Sequence, residues 1–286
     1  MSSVREIRRR IRSVQNTAKI TKAMSMIAAS KMRRSQEAAL MGRPYADRMR
    51  DLLSDLAAQR QDEEWLHPLL KRREAKKISL IIITPDRGLT GGLHSKINRV
   101  AGQFLLTQNA ETSVISVGRK GRDFMVSTGQ GVQAVFADLG DRPTVADITP
   151  ITKLVIDSYT SEQIDAVQLA YAQFVSTTVQ HAVIEPLLPV IPGNLDVKDS
   201  VGYIYEPSSM EVLSALLPRF VEMQVYHAVL ESIASEQSAR MVAMRNATDN
   251  ANEMVEELTL IMNKARQENI TKELLDIVGG AAAVES

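Results

Sequence analysis

The sequence predicts a protein of the α/β class, built as a long antiparallel coiled coil of its N- and C-terminal helices with an α/β domain inserted between them. Three observations lead there. Residues 2–58 carry apolar side chains in alternating steps of three and four, the middle of the chain switches to short β-branched runs, and helical spacing returns from Ser208 to about Val278. At about 1.5 Å per residue the last stretch extends roughly 100 Å, more than a small globular domain can enclose. Two such helices at opposite ends of a chain bury their seams most economically by pairing antiparallel.

In the first stretch Val4, Ile7, Ile11 and Val14 define a narrow heptad seam. The same register continues through Ala18, Thr21, Ser25, Ala28 and Met32, so the stripe turns small and smooth. A second stripe of Ile20, Met24 and Ile27 is expected to take over beside it. Gly42–Arg43–Pro44 is expected to bend the helix without dividing it, because proline removes one backbone donor and crowds the preceding turn. Residues 59–76 are crowded with charge around Trp65, Leu66, Pro68, Leu69 and Leu70, and read as a connector with a short apolar anchor.

Periodicity changes at Lys77. The β-branched run to Thr84, closed by Pro85, reads as a buried strand of a parallel sheet. Helices are expected over Gly92–Gln108, Arg119–Ser127 and Pro143–Tyr159, the last with Thr144 or Asp147 as its cap. Strands are expected at Ser113–Val117, Val132–Ala137, Ala166–Phe174 and His181–Leu187, the last two close enough to form an antiparallel hairpin. Gly202–Glu206 reads as a final short strand or an extended edge before Pro207. Alternation of this kind makes the insert a Rossmann-like layer. The plan is therefore a helix over 1–58, a connector over 59–76, the α/β domain over 77–207, and a second helix over 208–286 whose pattern is broken only at Pro218.

Composition narrows the function classes. With 286 residues, 34 basic and 34 acidic side chains and a net charge of zero, the chain is neither a globally basic nucleic-acid binder nor an acidic disordered one. Cysteine is absent, which removes disulfides, cysteine zinc sites, thiolate nucleophiles and thiol switches together. No apolar run approaches the roughly 20 residues needed to span a bilayer, so membrane contact is expected only through partners. Aromatic residues make up 4% of a chain that is 44% hydrophobic and holds 13 methionines, a profile of long helices with small or pliable seams. Charge is uneven locally: residues 1–34 hold ten Lys or Arg against Glu6 alone, while 221–280 hold ten acids and five bases. The two helices attract, although exposed ion pairs each contribute only about 0–1 kcal/mol.

Asp86-Arg-Gly-Leu-Thr-Gly-Gly92, between a strand and a helix, has the composition of a phosphate-binding nest. It lacks both G-x-x-x-x-G-K-[ST] and G-x-G-x-x-G, so a plain tight turn is the favoured reading. His67, His94, His181 and His227 are scattered, which leaves no metal or catalytic cluster, and no cofactor is expected.

The string IRSVQNTAKITKAMSMIAASKMRRSQ, Ile11–Gln36, is similar to the opening helix of the gamma subunits of rotary F-type ATP synthases. The string SEQSARMVAMRNATDNANEMVEELTLIMNKARQENITKELLDIVGGAAAV, Ser235–Val284, is similar to their closing helix. DRGLTGGL at Asp86–Leu93 and GYIYEP at Gly202–Pro207 also resemble family motifs, in the right order. Thr90 stands where many relatives have Cys, Met262 where Tyr is common, and Pro218 where proline is unusual. The cysteine-containing regulatory insertion of the chloroplast form is missing.

The resemblance implies a non-catalytic central rotor shaft that couples proton-driven rotation of a membrane ring to ATP synthesis at the beta subunits; a stand-alone coiled-coil scaffold and a nucleotide-binding enzyme are the alternatives. The shaft would sit inside three alpha and three beta subunits, contact an epsilon subunit, and rest on a membrane c-ring. The chain would then be a peripheral membrane protein on the cytoplasmic side of a bacterial plasma membrane. Arg8, Arg9, Arg10, Arg12, Lys19 and Lys22 would form a cationic collar facing acidic beta-subunit loops; a solvated face is the plain alternative, and nucleic-acid binding would need interleaved aromatics that are absent. Met24, Arg240, Arg266, Gln267, Thr271 and Glu273 resemble positions that couple to the beta subunits, with simple seam packing an equal reading for Met24. Tyr203, Tyr205 and Glu206 would face the ring, or form an ordinary edge. Ile277, Val278, Gly279, Gly280, Ala281, Ala282, Ala283 and Val284 would make a smooth bearing tip, or a frayed end.

Overall fold

The computed structural model describes residues 4–58, 67–191, 206 and 208–284. The chain forms two compact units, one of residues 1–27 with 241–286 and one of residues 28–240.

In the larger unit a five-stranded sheet has the order β3-β2-β1-β4-β5, from strands β1 (Lys77–Ile83), β2 (Glu111–Val117), β3 (Val132–Phe136), β4 (Ala166–Phe174) and β5 (Gln180–Leu188). β1 pairs parallel with β2 and β4, β2 pairs parallel with β3, and β5 closes the sheet antiparallel to β4, as the expected hairpin. Helices α2 (Leu93–Thr107), α3 (Arg119–Ser127) and α4 (Val145–Thr160) supply the crossovers. Every residue of β1 after Lys77 is buried, which is why a continuous β-branched run suits a central parallel strand.

Alternate residues serve two cores. Ile81, Ile83, Ile115 and Leu169 pack with Ile148, Val155 and Tyr159 of α4, while Leu80, Ile82 and Val114 pack with Ile97 and Ala101 of α2 and Met125 of α3. α4 starts where Thr144 donates both its N–H and its hydroxyl to the Asp147 carboxylate, at 2.7 and 2.8 Å. Those bonds hold the Asp147 carboxyl below the usual carboxylate range. A single 3₁₀ turn, Pro68–Leu70, places Leu69 and Leu70 in the first core, which makes them the connector's anchor. Trp65 lies outside the described residues.

The terminal helices are α1 (Val4–Ala58) and α5 (Ser209–Val284). Both run through their prolines, Pro44 and Pro218, without a break. Leu213 and Leu217 before Pro218, and Phe220 and Val221 after it, are all buried in the first core, so packing holds the helix where one backbone bond is missing.

In the smaller unit the two helices pair antiparallel. Thr21 and Thr248 share a hydroxyl hydrogen bond of 2.6 Å, and four residues further along α1 the Ser25 hydroxyl donates to the Met241 carbonyl, earlier on α5, at 3.1 Å. Ile7, Ile11, Ala18 and Thr21 are buried on one helix, Met244 and Ala251 on the other. The second stripe does not take over: Ile20 is 60% and Ile27 55% exposed, and only Met24 is half-buried. Small seam residues let the backbones approach, so the covered strip stays narrow and the shoulder beside it is left uncovered.

Candidate functional site

Two surfaces of the helix pair carry the residues singled out by sequence. Arg8, Arg9, Arg10, Arg12, Lys19 and Lys22 are all exposed on α1, which is what a heptad seam at Ile7, Ile11 and Ala18 requires of the positions between. Six cations therefore stand clear of the seam within five turns of helix.

The second surface is the end of α5. Stepping back along α1 from Thr21 to Val4, and forward along α5 from Thr248 by as many residues, reaches Ala265. Arg266 and the described residues after it thus project past Val4, the first described residue of α1. Every residue from Arg266 to Val278 is exposed, among them Gln267, Thr271 and Glu273. So are Ile270, Leu274, Leu275, Ile277 and Val278, the last two at 68% and 65%. Among the described residues no helix covers this apolar face in this register. Gly279, Gly280, Ala281, Ala282, Ala283 and Val284 remain within α5, so the backbone of the expected tip is helical to Val284.

Residues grouped by sequence are not brought together. Met24 lies beside the Thr21–Thr248 contact, whereas Arg266 to Glu273 lie at the far end of the pair. Arg240 belongs to the larger unit. Its guanidinium is 2.6 Å from Glu236, also reaches the Gly88 carbonyl at 3.5 Å, and its side chain is only 13% exposed. Burial raises the Glu236 carboxyl above its ordinary range against the pull of Arg240, and Asp86 and Asp141 nearby push the same way as burial. Tyr203 and Tyr205 lie outside the described residues; Glu206 is exposed.

The α/β unit has the topology of a ligand-binding sheet, with its strand order reversing between β1 and β4. Its own side chains occupy most of the place a ligand would take, leaving a cavity of about 50 Å³ lined by Thr84, Asp86, Gly118 and Glu236. The Asp86 carboxylate accepts from the Arg119 N–H at the start of α3 and from the Asp138 N–H after β3, both at 3.0 Å. The Thr84 hydroxyl accepts from the Gly121 N–H at 2.8 Å. The N-terminus of α3, where an anion would otherwise bind, is thus already capped by a carboxylate and a hydroxyl. Gly118, at φ 103°, brings the chain so close that a Cβ there would lie 1.9 Å from the Thr84 carbonyl oxygen.

α5 covers the crevice itself. Ser232 accepts from the Ala172 N–H, Ser235 donates to the Ala172 carbonyl, and Ser238 donates to the Thr177 carbonyl. Sequence reasoning passed over these three serines. Their spacing of three along an otherwise apolar helix face was the available signal, since buried hydroxyls need fixed partners. Among the described residues no cluster of three or more His, Asp or Glu is arranged to hold a metal ion, and no helix is long and apolar enough to cross a membrane.

A chain of this kind, with its crevice closed by its own helix and its charged and apolar surfaces set out along paired helices, is an interaction element of a larger assembly. Comparison with known proteins says which. The ATP synthase family matches residues 3–284. The ATP synthase gamma chain of Dehalococcoides mccartyi is 59% identical over 99% of this chain and 100% of its own length. That of Roseiflexus castenholzii is 51% identical over 99% of each, and that of Chloroflexus aurantiacus 48% over the whole of both. Among solved structures, the Tetrahymena thermophila mitochondrial ATP synthase central stalk and c-ring matches 80% of this chain and 99% of that one, at 25% identity and a TM-score of 0.61. A chain of the Euglena gracilis mitochondrial ATP synthase shares the fold over 98% of this chain and 94% of its own, at 19% identity and a TM-score of 0.68. The chain belongs to the ATP synthase gamma-chain family.

Proposed function

We propose that the chain is the central rotor shaft of an F-type ATP synthase, coupling rotation of a membrane ring to ATP synthesis at the beta subunits, and that it carries no active site of its own. The observation that carries this reading is the end of α5. A helix that leaves its partner with Ile270, Leu274, Leu275, Ile277 and Val278 uncovered calls for an apolar sleeve supplied by other chains. Three alpha and three beta subunits supply such a sleeve, an epsilon subunit and the c-ring complete the rotor, and the proton-driven ring turns the shaft. Because the helix pair has one cationic flank and one uncovered shoulder, each of its orientations favours a different conformation of the beta subunit it faces. Such differential contact is what shifts an equilibrium between states.

Within that role the collar of Arg8, Arg9, Arg10, Arg12, Lys19 and Lys22 meets acidic beta-subunit loops, and Arg266, Gln267, Thr271 and Glu273 grip the beta subunits near the tip. Met24 packs at the shoulder of the seam. Arg240, held by Glu236 and the Gly88 carbonyl, exchanges those partners if it reaches a beta subunit. Residues 277–284 form the bearing, and Tyr203, Tyr205 and Glu206 face the ring. A non-catalytic role is supported by the crevice that Asp86 and α5 narrow to a cavity of about 50 Å³, too small for a nucleotide. We place the assembly on the cytoplasmic side of a bacterial plasma membrane, in keeping with its bacterial relatives in Dehalococcoides and Chloroflexus.

Purification of the native assembly tests the reading. Co-elution of this chain with alpha and beta subunits is expected, and a free monomer in the native extract contradicts it. In the intact complex Arg266→Ala or Gln267→Ala lowers coupled turnover more than assembly; unchanged turnover removes those residues from the coupling surface.

A further inference from the structure

We propose that Ser232 and Ser235, backed by Ser238, are positioning residues that lock the sheet to the shaft helix and thereby carry torque between them, an inference that rests on the rotor reading. β1 pairs with β4 only as far as Ile82 and Ala170. Two residues on, Ala172 has no β1 partner for its N–H and carbonyl, which point to the same side of the strand. α5 takes both. The Ala172 N–H donates to the Ser232 hydroxyl at 3.3 Å, and the Ser235 hydroxyl donates to the Ala172 carbonyl at 3.0 Å. One turn further, Ser238 donates to the Thr177 carbonyl at 2.6 Å, in the turn that joins β4 to β5. The helix continues the sheet at its switch point as though it were a strand.

These groups are deeply enclosed: Ala172 is 1% exposed, Ser235 and Ser238 0%, and Ser232 8%. Apolar packing holds α5 against the sheet through close fit, but each contact is nondirectional and individually weak. Hydrogen bonds weaken steeply with angle, and a buried one that opens leaves both partners unsatisfied. Three of them, spaced three residues apart, add to that packing a resistance to rotation of α5 about its axis that depends on angle. The same turns of helix also hold Asp141 through Gln237 and Gly88 through Arg240, so the loops after β1, β3 and β4 are all tied to one short stretch.

The test uses the complete complex in sealed vesicles, with Ser232→Ala/Ser235→Ala in this chain. Backbone amide exchange at Ala172 is expected to rise by about tenfold or more, the scale set by losing one buried hydrogen bond. ATP hydrolysis should stay within about twofold of the parent, while protons pumped per ATP hydrolysed fall severalfold because the sheet slips under load. Ser→Thr at both positions keeps the hydroxyls and should return the ratio to that of the parent. Faster exchange with an unchanged pumping ratio overturns the proposal, because the bonds are then structural only. Unchanged exchange overturns it as well, because the bonds are then not made. If the double variant fails to assemble, Ser232→Ala alone, which removes only the acceptor for the Ala172 N–H, carries the same two measurements. Parent complex that pumps normally without this chain would instead sink the rotor reading itself.

Discussion

The two compact units of this chain hold together in different ways. In the α/β unit large side chains vanish from solvent: Leu80, Ile81, Ile82 and Tyr159 are 0% exposed, and Leu217 and Val221 of α5 join them. In the helix pair the contact at mid-length is made by Ala18, Thr21 and Ser25 against Met244, Thr248 and Ala251, while Ile20, Ile27, Leu274 and Leu275 stand more than half exposed. One unit turns a large apolar core inward, although side chains such as Met41 and Leu106 stay exposed on its surface. The other reserves many of its apolar residues, and spends its own cohesion on small residues and hydroxyl bonds, as befits a surface completed by other chains.

That contrast can be broken by substitution, most severely at Gly118. Alanine there must adopt a left-handed conformation costing about 1–3 kcal/mol and also displace the Thr84 carbonyl oxygen, so the α/β unit should lose most of its stability. Thermal unfolding of the variant chain reads this directly; a midpoint close to the parent's would contradict the close approach. Next in size, Leu217→Ala should cost about 2–5 kcal/mol by denaturant unfolding, as expected for a wholly enclosed side chain. A loss below about 0.5 kcal/mol, the range of ordinary surface changes, would mean that α5 is not part of that core.

The seam should respond more gently. Thr21→Val removes the hydroxyl shared with Thr248 and should cost about 1 kcal/mol, read as loosened pairing by amide exchange in residues 4–27. The smallest effect sits at the start of α4. Thr144 holds the folded-state pKa of Asp147 below its unfolded value, so the stabilisation is present above that unfolded value and is lost as pH falls through the folded one. Asp147→Asn should therefore lower stability slightly at neutral pH, where the parent has this stabilisation, flatten the acid limb of the profile, and leave strongly acid pH almost unmoved. A larger change at acid pH than at pH 7 would contradict the assignment.

Much of this was legible in the sequence because its periodicities do not overlap. The run from Lys77 to Ile83 reads as strand and nothing else, the hairpin of β4 and β5 follows from their short separation, and the capping pair Thr144 and Asp147 announces α4. What could not be read was which face of a long helix stays covered. Ile20 and Ile27 look like seam residues by spacing, and only the tight approach allowed by Ala18 and Thr21 leaves them outside. The same holds for Arg240: its charge and its place in a familiar string suggest an external partner, whereas the fold supplies Glu236 and Gly88. The spacing of Ser232 and Ser235 signals buried hydroxyls but not their partners, which are backbone groups of a strand some 60 residues away.

The central claim is that this chain turns inside its assembly, and one measurement addresses it directly. The chain has no cysteine, so Leu106→Cys, at a side chain 82% exposed on α2, gives it a single thiol on which to mount a probe. With the alpha and beta subunits fixed to a surface and ATP supplied, the account predicts unidirectional rotation of the probe with one pause for each beta subunit per turn. ATP hydrolysis accompanied only by undirected fluctuation of the probe would contradict it.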